Sequence, residues 1–171
     1  AALAVASRML ERGADPIRVA AAGALVGIGA FSAVIFASPL ASPLLFRIGT
    51  VAMGAGNGLF AVGTLTAVVG LGDRNIVGLV IGAWGTVQAT SIGFSLAAGG
   101  ILRDVIAALG ERGMLGAAMS GTSVPYSVVY HLEIGLLFVA LITLGPLVAS
   151  RRARRNAPAS PARFGLADLP G

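Results

Sequence analysis

The chain has 171 residues, 56% of them hydrophobic and 11% charged, with 25 glycines and a formal net charge of +5. A soluble domain carries about a quarter charged residues, so this composition excludes an ordinary soluble domain and indicates an integral membrane protein. With no cysteine and one histidine, the chain has no disulfide framework and no multi-histidine metal site. The twelve basic residues are all arginine; they sit at the edges of apolar runs and form no aromatic-interleaved patch of the kind that binds nucleic acid.

Residues 1–10, AALAVASRML, read as the end of a hydrophobic helix. They carry no initiator Met, and no basic region precedes the apolar run as in a signal peptide. The chain is therefore expected to be the C-terminal part of something longer. Residues 8–18 form a charged turn, with Gly13 and Pro16 as breakers. Residues 19–37 are the first complete span, and they include the pair Gly23 and Gly27, followed by Gly29. Residues 38–43 are an uncharged turn with Pro39 and Pro43. Residues 44–71 form the second span, with Arg47 near its start, where a long side chain snorkels to the interface. Its middle, Gly54-Ala55-Gly56-Asn57-Gly58, is weak helix sequence with an amide at mid-depth.

Residues 72–75, GDRN, make a tight charged turn. Residues 76–102 are the third span, free of charge and long enough to cross a core about 30 Å thick. Gly78, Gly82, Gly85, Ala89, Gly93, Ala97 and Gly100 recur every three or four positions and share one helical face. Such a groove of small residues lets another helix or a flat ligand approach the backbone closely. Trp84 and Gln88 lie one turn apart near the middle. The pattern Leu102, Val105, Ile106, Leu109 continues the helical period, so the helix is expected to emerge from the bilayer or bend along its surface. Residues 110–125 read as a polar loop. Residues 126–149 are the last span, with Tyr126 and Tyr130 as an interfacial belt. Arg151, Arg152, Arg154 and Arg155 stop it, and residues 156–171, with three prolines, read as a disordered tail.

The expected fold is thus an all-α, polytopic transmembrane bundle over residues 1–150, with a basic tail at 151–171. Four crossings put the first turn and the tail on one side. That side holds nine arginines (8, 12, 18, 74, 151, 152, 154, 155 and 163) and the other holds three (47, 103 and 112). By the positive-inside rule the C-terminus is cytoplasmic.

The block Gly82-Ala83-Trp84-Gly85-Thr86-Val87-Gln88-Ala89-Thr90, followed by Gly99-Gly100-Ile101-Leu102-Arg103-Asp104, resembles the PucC/LhaA family of purple phototrophic bacteria, the light-harvesting complex assembly proteins. The turn Gly72-Asp73-Arg74-Asn75-Ile76-Val77-Gly78 and the helix start Tyr126-Ser127-Val128-Val129-Tyr130-His131-Leu132-Glu133 are similar to it too. The resemblance covers most of residues 1–150. It implies a major-facilitator-type fold of twelve helices, of which these spans match the last four, preceded by the end of the eighth. It also implies a non-enzymatic role in the bacterial inner, intracytoplasmic membrane. There the protein would bring bacteriochlorophyll to antenna polypeptides, or hold those polypeptides while pigment binds.

Several residues are candidates for that role, each with a plainer alternative. Trp84 and Gln88, with Gly78, Gly82, Gly85 and Gly93, would make a pigment or partner surface; alternatively, Gln88 bonds across the bundle and Trp84 fills a gap. Asn57 either faces a central cavity, or pairs with a neighbouring helix or tolerates a local kink. His131 would be an axial ligand for a chlorophyll magnesium, or an interfacial histidine reaching headgroups. Glu133, about a turn inside the membrane, is costly unless paired or wet. It is expected to pair with Arg103 or Arg112, and otherwise would couple to protons. No catalytic constellation and no metal site of its own is present in the sequence. Two other functions fit the composition. A secondary transporter needs a polar midplane cavity, for which these spans supply few residues. A structural subunit needs only glycine faces.

Overall fold

The computed structural model describes residues 2–70, 75–116, 119 and 121–156; from Ala149 onward it describes the backbone alone. Five helices follow in order: α1 (Ala2–Glu11), α2 (Pro16–Ala37), α3 (Pro43–Val69), α4 (Val77–Glu111) and α5 (Val124–Asn156). Four of them, all but α1, are long and apolar enough to cross a membrane, so the chain is a multi-pass membrane protein. The expected turn at Asp73 and Arg74, and the tail beyond Asn156, lie outside the described residues.

Two helix starts follow directly from local chemistry. Asp15 caps α2: its carboxylate accepts the Ile17 N–H at 2.8 Å, and Pro16 takes the first helical position, where no N–H is needed. Ser42 caps α3 in the same way, accepting from the Leu45 N–H at 3.3 Å ahead of Pro43. Both prolines therefore begin helices. The spans anticipated at 19 and 44 started later because apolar content, unlike a cap, does not mark the first turn. Gly13, at φ +82°, reverses the chain between α1 and α2.

The centre of the bundle is the antiparallel pair α2 and α3. Small residues let the two backbones nearly touch. A Cβ added at Gly23 would lie 2.6 Å from the Gly56 carbonyl oxygen, and one at Gly63 would lie 2.5 Å from the Ala20 nitrogen. One added at Gly49 would lie 2.6 Å from Val34 Cγ2. Gly49, Gly56 and Gly63 recur every seven residues, so one face of α3 carries the whole seam. In lipid this contact is held by van der Waals packing, which rewards close approach. Ala6 of α1 joins Val19 and Leu59 in a small buried cluster at one end of the seam.

α5 packs against α2 beside that seam. Gly27 faces Leu137, and the Phe31 and Tyr130 rings are 5.7 Å apart at 43°. α4 completes the bundle by leaning on α3 near one end and on α5 near the other, and none of its residues is buried. It is a single helix through Glu111, 35 residues or about 52 Å long, well beyond the apolar core of a bilayer. The stretch from Arg103 to Glu111 thus continues the span as unbroken helix.

Candidate functional site

Three contacts fix the orientation of α4. The Trp84 indole Nε1–H donates to the Thr64 hydroxyl of α3 at 3.3 Å, and that hydroxyl in turn donates to the Phe60 carbonyl at 2.8 Å. Gly99 faces Val129 of α5. The Arg103 guanidinium donates to the Tyr126 hydroxyl at 3.1 Å and lies 5.5 Å from the centre of that ring. Trp84, Gly99 and Arg103 therefore turn toward the bundle, and half-buried Gln88 follows Trp84 by one turn on the same side.

The glycine stripe points elsewhere. At 100° per residue its centre lies about a third of the way round the helix from Trp84 and Gln88. Around Gly78, Gly82, Gly85, Gly93 and Gly100 nothing among the described residues comes within 4 Å of an added Cβ. The residues grouped in the sequence as one surface thus divide in two. Trp84 and Gln88 face the protein, whereas Gly78, Gly82 and Gly93 are exposed beside the side chains of Leu79 and Phe94; Gly85 is half-buried, and Gly100 lines a cleft shared with α5. The hydrogen bond from α4 to α3 is made by Trp84 through Thr64.

Asn57 is exposed on α3 and has no hydrogen-bond partner among the described residues, while its neighbour Gly56 faces α2. Glu133 is half-buried in a cleft of about 300 Å³ between α2, α4 and α5, with Arg103, Tyr126, Tyr130 and Phe31 also in the walls. The expected pairing of Glu133 with Arg103 does not form. Arg103 instead donates from Nε to the adjacent Asp104 carboxylate at 2.9 Å and bridges to it again from Nη2. The reason is distance along the helix: Glu133 lies two turns, about 10 Å, past Tyr126, which marks the level of the guanidinium. A larger cleft of about 900 Å³ opens beside it, between the α2–α3 connection and the start of α5. Phe46, Tyr126, Tyr130 and the serines 38, 42, 123 and 127 line it, an aspect of the site that sequence reading missed because its walls come from two separate turns.

His131 is exposed on the outer side of α5, and its Nδ1 lies 2.7 Å from the Ser127 carbonyl oxygen. No group of three or more metal-binding side chains gathers among the described residues.

Comparison with known proteins identifies the type of chain to which this surface belongs. The family model described as PUCC protein matches residues 1–152. A protein of Rhodobacter capsulatus, described as an uncharacterized protein in the puhA-bchM intergenic region, is 43% identical over 165 residues, 96% of this chain and 34% of that one. Protein PucC of Cereibacter sphaeroides is 41% identical over 152 residues, covering 89% of this chain and 32% of that one. Protein PucC of Rhodovulum sulfidophilum is 48% identical over 101 residues, 59% of this chain and 22% of that one. The chain thus spans about a third of the length of the first two relatives. No solved structure matches it. With the match running through all four spans and identity above 40% along most of its length, the chain belongs to the PUCC protein family.

Proposed function

We propose that the chain is part of a non-enzymatic membrane assembly factor for light-harvesting antenna complexes, one that holds or delivers bacteriochlorophyll and antenna polypeptides. Family membership supports the setting. The observation that carries the mechanism is α4: a spanning helix of 35 residues with none buried, whose Gly78, Gly82 and Gly93 leave a shallow open channel along one face. In lipid, such a channel favours an incoming helix or a flat ring, since close backbone approach is the main source of attraction there. An antenna polypeptide with a single span, or the edge of a pigment macrocycle, has the shape to use it.

We also read the four spans as the last four of a twelve-helix major-facilitator-type fold, which accords with a chain covering about a third of its relatives. The protein would lie in the bacterial inner membrane with its C-terminus in the cytoplasm, as the nine-to-three arginine count supports.

The test replaces Gly82 and Gly93 together by leucine in a phototrophic host. Near-infrared absorption of the membranes should show reduced antenna bands, while the variant protein accumulates at the wild-type level. Unchanged antenna bands would remove the open face of α4 from the mechanism. Purification of the wild-type protein free of both pigment and antenna polypeptides would count against the reading as a whole.

A further inference from the structure

His131 lies seven residues into α5, on a face it shares with Gly135, Phe138 and Ile142 at helical spacing. All four are exposed, and Leu132, Leu136 and Val139 beside them are exposed as well, so the histidine stands on an apolar outer surface. Its Nδ1 is 2.7 Å from the Ser127 carbonyl oxygen one turn back. A carbonyl only accepts, so this contact selects the tautomer with the proton on Nδ1, which in a neutral ring leaves the lone pair on Nε2; the Ser127 hydroxyl oxygen lies 3.5 Å from the same Nδ1. Nε2 is on the far edge of the ring. Among the described residues nothing donates to it.

An unmatched acceptor on an apolar membrane face is costly. The same arrangement, a neutral imidazole with Nδ1–H tied to a carbonyl, is how proteins orient a metal-ligating histidine and raise its basicity. The next turn supplies room for a flat partner: at Gly135 nothing comes within 4 Å of an added Cβ. Phe138, a turn further on, offers an aromatic face to a conjugated ring. Glu133 takes no part in this, because it points about 200° away from His131 into the inner cleft.

We propose that Nε2 of His131 is the axial ligand of the magnesium in a bacteriochlorophyll that lies flat against the outer face of α5 over Gly135. This rests on the pigment-handling role proposed above. The chlorophyll magnesium, held in the ring plane by four nitrogens, has an open axial position that a neutral imidazole fills without any change of charge. The exposed leucines around the site meet the hydrocarbon skirt of the pigment.

The experiment uses the protein purified from a bacteriochlorophyll-synthesising bacterium into lipid nanodiscs. Pigment per chain is measured by absorption, and magnesium coordination by resonance Raman. Wild type should carry five-coordinate pigment. His131→Leu should lose bound bacteriochlorophyll by at least the tenfold that losing a supporting hydrogen bond already costs a metal site. Binding of magnesium-free bacteriopheophytin should be unchanged in the same variant. His131→Gly should regain the five-coordinate signature when imidazole is added. Wild-type-like pigment content and coordination in His131→Leu would overturn the assignment while leaving the pigment role standing. So would equal loss of the magnesium and magnesium-free forms, which would show that the histidine serves only packing. A wild-type protein that carries no pigment would overturn the pigment role, and this assignment with it.

Discussion

Trp84 donates to Thr64, and Thr64 donates to the backbone of its own helix at Phe60, so one indole N–H links α4 to α3 through a short relay. Interhelical hydrogen bonds in membranes average about 0.6 kcal/mol and reach about 1.7 kcal/mol. A double-mutant cycle of Trp84→Phe and Thr64→Val, read by thermal unfolding in detergent, should give a coupling energy of about that size. Additive effects would show that the bond contributes nothing. At the other end of α4, Arg103 is held by Asp104 and Tyr126. Tyr126→Phe removes the hydroxyl but keeps the ring beneath the guanidinium. Its effect on stability should stay under about 1 kcal/mol, as for other exposed charged contacts, and should shrink further as salt is raised. The place of Arg103 at the edge of an apolar run, beside Asp104, was legible from sequence. Their pairing with each other, which leaves Glu133 in the neighbouring cleft without an ionic partner among the described residues, depended on helix register.

The element scale holds two glycine stripes that look alike in sequence and behave oppositely in the fold. Gly49, Gly56 and Gly63 of α3 press against α2, where an added methyl would collide with backbone atoms between 2.5 and 3.0 Å away or with the side chain of Val34. Gly78, Gly82 and Gly93 of α4 face nothing in the described structure. Gly56→Ala should therefore force α2 and α3 apart and destabilise the protein by about 1–3 kcal/mol, the range for overpacking a tight interface. Gly82→Ala should leave stability within about 0.5 kcal/mol of wild type, since it adds a methyl to open space. Parallel melting curves for the two variants decide the matter, and equal destabilisation would contradict the description of α4 as open. Periodicity singled out the α4 stripe, and the same spacing rule admits Gly49, Gly56 and Gly63 of α3, whose role emerged only from the fold. Periodicity does not reveal which one finds a partner, because both satisfy the same spacing rule.

Across the whole molecule the helices are unequally engaged: α2 is enclosed by α3 and α5, while α4 contributes no buried residue. Among the described residues α4 thus leaves a long apolar face uncovered. The proposed orientation belongs to this scale. Alkaline phosphatase fused at Met114, in the α4–α5 connection, should be active outside the cytoplasm, and the same enzyme fused after Gly171 should be inactive. The reverse pattern would invert the topology and place both aromatic-walled clefts on the cytoplasmic side.

The sequence by itself determined the class of protein, the number and order of its spans and the family to which it belongs. Apolar length against bilayer thickness is a local quantity, readable one segment at a time. It also singled out Trp84, the glycines, His131 and Glu133 as the unusual residues. Only the tertiary structure decided what each of them faces. The seam between α2 and α3, the inward turn of Trp84, and the exposed position of His131 all follow from how helices of similar composition rotate and pair. That choice is made by contacts between segments distant in the chain, and small residues at helical spacing permit several such pairings before packing selects one.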